Sequence, residues 1–213
     1  MHEKTYHRQL LEEAIRSILP SINGALWLDL GCGKYFRYQK LISRPQREYV
    51  ALDIVLPINA KNKNFVRGDA HNLPFRNDSF DCIFLIEVLE HLERPFEAIK
   101  EVGRVTKKGG TLILSAPFLY PIYHDEFWRF TPDGIKLLLT KAGMSIIKMI
   151  MIGGFFTNFA QLQYNLFKRF SSKLPFLNSF KSIVYKLGWF LTRLDSKTRM
   201  LSPSGILIIA IKS

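Results

Sequence analysis

The stretch Leu26-Trp27-Leu28-Asp29-Leu30-Gly31-Cys32-Gly33-Lys34-Tyr35-Phe36 constrains this chain more than any other, because an apolar run breaks there at two glycines one residue apart. A run of that length fits a strand buried on both faces. Gly31 and Gly33 then let the backbone reverse and approach a ligand with no Cβ in the way. Asp29 stands at the carboxyl end of the strand, where open α/β sheets place their ligands. A Gly-x-Gly also occurs in ordinary turns, so its meaning depends on the residues downstream of it.

A second apolar run, Glu48–Ile54, ends in Asp53 about twenty residues beyond the turn, the distance at which a carboxylate on the next strand tip can accept from both hydroxyls of a ribose. A third, Asn64–Arg67, closes on Gly68-Asp69-Ala70-His71, which puts a third acid at a strand end. Both Asp53 and Asp69 could instead cap their own loops. The fourth run, Phe80–Ile86, is followed by Glu87, the carboxylate nearest its tip, and by His91, which either caps or packs near the site. Residues 95–107 predict a helix with Phe96, Ile99, Val102 and Val105 on one side, stopped by Gly109-Gly110, and Thr111–Ala116 a fifth strand. The segment Pro117–Phe130 then holds six aromatics with His124, Asp125, Glu126 and Arg129, and a loop of that length is usually functional. Thr131-Pro132-Asp133 opens a helix to Lys141, and Ser145–Ile152 and Gly205–Ile211 supply strands six and seven. An amphipathic helix over 3–19 packs Leu11, Ile15 and Ile18 beside the sheet.

The core fold does not need the fifty or so residues between the last two strands. Phe155, Phe159, Leu162, Leu166 and Phe170 share one helical face, and after Pro175 so do Leu177, Phe180, Val184, Leu187, Leu191 and Leu194, so two amphipathic helices are expected. This segment also carries the charge: residues 155–199 hold eight Lys or Arg against one acid, Asp195, in a chain of net charge +12. An anionic partner is implied. The partners to keep apart are nucleic acid, an acidic small substrate and a membrane surface, the last met by the apolar strip bordered by Lys168, Arg169, Lys181, Lys186 and Arg193. Burial of the two helices against the core or a second copy in a dimer is the alternative, with the bases a solvated face. Nucleic acid is disfavoured, since no RNA-binding module accompanies the segment. Scattered polar residues in 149–167 argue against a membrane-spanning helix. The first sixteen residues carry both signs of charge, unlike a secretory leader, and two isolated cysteines indicate neither a disulfide framework nor a metal site. A cytoplasmic protein, peripheral on the inner face of a membrane, is the expectation.

The motifs in order resemble those of the class I S-adenosylmethionine-dependent methyltransferases, type 11 group. Leu28 to Gly33 is similar to their first motif, Ala51-Leu52-Asp53-Ile54 to the second and Gly68 to Phe75 to the third. Ser79-Phe80-Asp81, Glu87 to Leu92, Glu101 to Val105 and Lys108-Gly109-Gly110 complete the series. The resemblance implies a single domain over 1–213 with a seven-stranded, doubly wound, Rossmann-like α/β sheet. Its strand order would be 3-2-1-4-5-7-6, with the last strand antiparallel and a helical insertion between strands six and seven. It also implies S-adenosyl-L-methionine as cofactor and S-adenosyl-L-homocysteine as product. Asp29, Gly31 and Gly33 would line the methionine end, with Cys32 beside them. Asp53 and Ile54 would hold the ribose, Asp69 and Ala70 the adenine, and Glu87 would face the cofactor. Carboxylates suit this, accepting from a diol or an exocyclic amine. Cys32 reads as packing, since transfer from a sulfonium needs no enzyme nucleophile. Where the family often has a third glycine this chain has Tyr35, and a nicotinamide dehydrogenase would need glycine at Phe36.

Lys34 to Tyr38, and His124, Trp128, Arg129 and Thr131, resemble a variant found among methyltransferases of bacterial surface-polysaccharide gene clusters. That implies a sugar or lipid-linked glycan acceptor, methylated on a hydroxyl. Tyr123, Asp125, Trp128 and Arg129 would bind it, and His124 would be the general base; a lid packing its own aromatics is the alternative. A membrane lipid or another small molecule is the competing acceptor. A catalytically silent partner that kept the fold is the competing class.

Overall fold

The central strands are apolar at nearly every position because both faces of the sheet are covered. The computed structural model describes residues 5–58, 64–121, 125–173, 175–196 and 198–213; Tyr123 and His124 lie outside the described residues. Strands β1 (Leu26–Leu30), β2 (Glu48–Asp53), β3 (Phe65–Arg67), β4 (Phe80–Ile86), β5 (Thr106–Pro117), β6 (Met144–Ile152) and β7 (Gly205–Lys212) form one sheet of order β3-β2-β1-β4-β5-β7-β6. Strand β7 runs antiparallel to β5 and β6, and the other pairings are parallel. The expected order and the reversed last strand are both present.

Alternation along each strand sorts the core into two layers. Leu28, Leu30, Ile83 and Leu85 pack under helices α3 (Pro95–Val105) and α4 (Pro132–Lys141), against Ile99, Val102, Ile135 and Leu139. On the other face Trp27, Cys82, Phe84 and Ile86 meet Leu11, Ile15 and Ile18 of helix α1 (Tyr6–Ile18). A short helix, α2 (Gln39–Ile42), comes after the glycine turn. Thr5 caps α1, its Oγ1 accepting from the Arg8 N–H at 3.3 Å. Asp81 accepts from the Ala25 and Leu26 N–H groups and pairs with Lys107 at 2.7 Å, fixing where β1 begins.

Two local expectations differ. Helix α3 ends at Val105 and β5 begins at Thr106, so Lys107-Lys108-Gly109-Gly110 belongs to a bulged strand start, with the register jumping between Phe80/Thr106 and Cys82/Thr111. The Lys107–Asp81 pair holds that bulge against β4. Phe96 is exposed on α3, near Lys141, while Ala98 takes the buried position.

The segment between β6 and β7 forms helices α5 (Phe155–Ser171) and α6 (Lys181–Thr192), followed by a short turn of 3-10 helix, Arg193–Ser196. Their inward faces carry Thr157, Ala160, Gln161, Tyr164, Gly188 and Thr192. Tyr6 of α1 is the centre of this contact. Its ring stacks on Tyr185 at 5.0 Å, and a Cβ at Gly188 would collide with its hydroxyl. The apolar strip expected from the sequence therefore points outward: Phe155, Phe159, Leu162, Leu166, Phe170, Phe180 and Leu187 are exposed. Val184 and Leu191 are the exceptions, packed inward beside Tyr6 and Tyr164, and Ile183 and Phe190 are exposed on the outer surface instead. No helix of the described residues is long and apolar enough to cross a membrane.

Candidate active site

The carboxyl ends of β1, β2 and β4 open into a cleft of about 530 Å³. Gly31 forms its floor because β1 must turn there. Its φ is 79°, and a Cβ would lie inside the envelope of Val88. Asp53, at the end of β2, ties two turns together, Oδ2 accepting from the Gly33 N–H of the turn after β1 at 2.8 Å and Oδ1 from the Val55 N–H of its own turn at 2.9 Å. Beyond β3, Asp69 Oδ1 accepts from the His71 N–H at 2.9 Å and lies 2.7 Å from His71 Nδ1. His71 Nε2 accepts from the Arg94 N–H at 3.3 Å, so Nδ1 carries the ring proton and donates to Asp69. These bonds hold the Asp69 carboxyl below its usual range, the His71 backbone N–H contributing most. Oδ2 takes neither bond. Ile54, Ala70 and the apolar side chains of Leu30, Leu52, Val88 and Leu92 complete the walls.

Six of the expected cofactor residues thus meet in the cleft: Gly31, Asp53, Ile54, Asp69, Ala70 and Glu87. Asp29, Cys32 and Gly33 do not line it. Asp29 is 2% exposed and accepts from the Tyr49 hydroxyl at 2.6 Å. Burial pushes its carboxyl up to about 7, against the lowering effect of the Tyr49 bond. Cys32 is buried too, its thiol pushed up to about 12 by burial, which suits packing and not nucleophilic attack. Gly33 acts through its N–H on Asp53.

Glu87 stands at the tip of β4 with φ 56°, a conformation that non-glycine residues rarely adopt and that often marks functional sites. Ser115 donates to its Oε1 at 3.0 Å, and Oε2 lies 3.4 Å from Nε2 of His7. Burial would raise this carboxyl, but the electrostatic pull of His7 and Arg8 and the bond from Ser115 outweigh it and hold the group low. Next to it Glu90 is 2% exposed, and burial, with Glu87 close by, pushes it up to about 9, so it is protonated at neutral pH.

The aromatic loop docks on the turn after β4. The Glu90 carbonyl accepts from the Phe127 N–H at 2.8 Å, and His91 Nδ1 donates to the Asp125 carbonyl at 2.6 Å. His91 is therefore the strut under the loop, and its ring lines the cleft. Of the expected acceptor residues, Asp125 and Trp128 are exposed, Trp128 stacking on Phe130 at 6.3 Å. Arg129 is engaged within the loop, paired with Glu126 and donating to the Phe118 carbonyl at 3.2 Å. The aromatic that reaches the cleft is Phe127, one residue earlier than expected. Sequence reasoning missed His71, Phe127 and His7. His71 lies within the third motif, whereas nothing local marks His7, which is set among α1 residues read only for packing.

The comparisons with known proteins agree with this geometry. Residues 28–114 match the profile of a methyltransferase domain family. A demethylmenaquinone methyltransferase of Paenarthrobacter aurescens is 41% identical over 66 residues, 31% of this chain and 25% of that protein. A protein of Bos taurus named probable tRNA methyltransferase 9B is 34% identical over 96 residues, 43% of this chain and 21% of its own length. The matches thus span about a quarter of these relatives. A crystal structure of a SAM-dependent methyltransferase from Archaeoglobus fulgidus superposes with a TM-score of 0.63 over 96% of this chain and 94% of that one, at 19% identity, which establishes a shared fold.

Proposed function

We propose that this chain is an S-adenosyl-L-methionine-dependent methyltransferase acting on a hydroxyl of a sugar or lipid-linked glycan. The cleft carries the first half of this reading: a glycine floor admits a ligand to the backbone, and Asp53 and Asp69 stand at its rim. Bound there, the cofactor would supply an electrophilic methyl group on a sulfonium. Asp53 would accept from the ribose hydroxyls while keeping the Gly33 loop in place, and Asp69 would accept from the adenine amine through Oδ2. Asp53→Ala removes the ribose bonds and frees the Gly33 and Val55 N–H groups together. Calorimetry should show the affinity for S-adenosyl-L-methionine falling by roughly one to two powers of ten, equivalent to about 1–3 kcal/mol. An unchanged affinity would remove Asp53 from the site.

The acceptor reading depends on the loop after β5. Exposed Phe127 and Trp128 offer faces on which a sugar ring can stack, and the named relatives, one a menaquinone enzyme and one a tRNA protein, do not agree on an acceptor. Labelled S-adenosyl-L-methionine incubated with cell extract divided into lipid, glycan, RNA and protein fractions should mark the glycan or glycolipid fraction. Label confined to RNA or protein would contradict it.

The inverted polarity of α5 and α6 supports docking on an anionic membrane. Exposed Lys168, Arg169, Lys186 and Arg193 surround the outward Phe and Leu side chains, a pattern suited to lipid headgroups above acyl chains. Each basic residue near such a surface contributes about 1 kcal/mol. Binding to vesicles containing phosphatidylserine should exceed binding to neutral vesicles and weaken as salt rises. Binding indifferent to both, or a stable dimer with no sedimentation, would assign the face to simple hydrophobic contact or to a second copy.

A further inference from the structure

Beside the cofactor cleft lies a second, smaller cavity of about 170 Å³, and Glu87 and His91 line both. Its other walls come from elements far apart in the chain: His7 and Arg8 of the first helix with Thr5 that caps it, Glu90 from the turn after β4, and Tyr120 and Glu126 from the aromatic loop. His7 is 2% exposed, and its ring packs on Tyr120 at 4.7 Å between centroids. Its neighbours fix where its protons sit. Ser204 gives its single hydroxyl proton to the Ile152 carbonyl at 2.7 Å, so at 2.8 Å its oxygen must accept from His7 Nδ1–H. Nε2 is left facing Glu87 at 3.4 Å, longer than a formed hydrogen bond, and among the described residues it has no hydrogen-bond partner. A buried ring nitrogen with a fixed tautomer thus stands where the two cavities meet.

We propose that the acceptor's hydroxyl enters this smaller cavity and gives its proton to the His7–Glu87 pair. This rests on the methyltransferase reading and adds to it the acceptor's place and the proton's destination. As the acceptor oxygen bonds to the methyl carbon, the carbon–sulfur bond breaks and its electron pair stays on sulfur. The O–H proton passes to His7 Nε2, and the positive charge lost by the sulfonium reappears on an imidazolium facing the Glu87 carboxylate. Ser204 and Ile152 are positioning residues, holding Nδ1–H so that Nε2 faces the reaction. An acceptor hydroxyl suits the cavity better than a carboxylate or phosphate, because an anion would stand against ionised Glu87. Protonated Glu90 can donate to the acceptor oxygen.

Nuclear magnetic resonance of protein carrying carbon-13 at histidine Cε1 tests this directly, the His7 signal being the one lost in His7→Asn. Besides Glu87, the charged or titratable groups lining its cavity are Arg8, Glu90, His91, Tyr120 and Glu126. Only Glu87 is changed in the test. Glu87→Gln should lower the His7 titration midpoint by roughly half a pH unit or more, because a facing carboxylate favours the imidazolium. In the wild-type protein the midpoint should be lower with S-adenosyl-L-methionine than with S-adenosyl-L-homocysteine by roughly the same amount, since only the former brings a cation into the cleft that Glu87 lines. Equal midpoints with the two ligands would overturn the proposal, as would a midpoint unmoved by Glu87→Gln. Where Glu87→Gln folds poorly, the two-ligand comparison in the wild type decides. Calorimetry on the same samples separates the two levels: if neither ligand binds, the methyltransferase reading fails, and the Glu87→Gln titration still reports on the pair. His7→Asn should keep its affinity for S-adenosyl-L-homocysteine within about twofold, because His7 does not line the cleft.

Discussion

Gly31→Ala should reduce cofactor affinity by about a hundredfold or more and lower the melting temperature, whereas Gly33→Ala should be much milder. Both glycines have positive φ, 79° and 69°, so each alanine bears roughly the 1–2 kcal/mol of a left-handed L-residue. They differ in their surroundings. A Cβ at Gly31 would collide with Val88, whereas one at Gly33 meets nothing within 4 Å. Relieving the collision pushes Val88 toward the cleft it lines, and overpacking of this kind adds about 1–3 kcal/mol. Val88→Ala in the Gly31→Ala background should restore part of the loss, a coupling that calorimetry and thermal melts both read. Equal effects at the two glycines would mean that backbone strain alone matters, and that Gly31 has no special relation to the cleft.

Asp195→Ala should be the most destabilising substitution in the segment between β6 and β7. Asp195 is 1% exposed, and its carboxylate accepts from the Phe156 N–H at 2.8 Å, from the Thr157 N–H at 2.9 Å and from the hydroxyls of Thr157 and Thr198. It thereby caps α5 from about forty residues away in sequence, a negative charge at a helix N-terminus. Alanine leaves those buried donors unpaired, and losing the cap with them should cost about 3–5 kcal/mol, a fall of roughly 10 °C for a chain of this size. Asp195→Asn, which keeps one acceptor oxygen, should fall between. Cofactor affinity should hold within about threefold, because Asp195 does not line the cleft, while vesicle binding should drop as α5 loosens. Loss of cofactor binding at full stability would tie this segment to the cleft directly.

Much of the sheet was legible because its information is local. Glycines after a strand, an acid about twenty residues on and apolar runs of five to eight residues gave the strand order through the family resemblance, and placed Asp53 and Asp69 at the cleft. Asp29 shows the limit of spacing. It lies one residue before Leu30, and strand alternation turns it with Trp27 toward the face away from the cleft, onto Tyr49. Periodicity likewise identified the two faces of α5 and α6, but not that Tyr6, Thr157 and Gly188 would make the polar, small face the inner one. His7 and Ser204 are 197 residues apart and Asp195 lies 39 from Phe156, so no local pattern marks either pairing. Asp195 stands out in the sequence as the lone acid among eight bases, which is a structural signal as well as a charge count.

The central claim is that the cleft built by β1, β2 and β4 is a cofactor site, and calorimetric titration of the folded protein with S-adenosyl-L-methionine tests it most directly. The expected result is saturable one-to-one binding, matched by S-adenosyl-L-homocysteine and not by a nicotinamide dinucleotide. No heat of binding at millimolar S-adenosyl-L-methionine, from protein shown to be folded by its melting curve, would contradict it and leave a methyltransferase fold that does no methyl transfer.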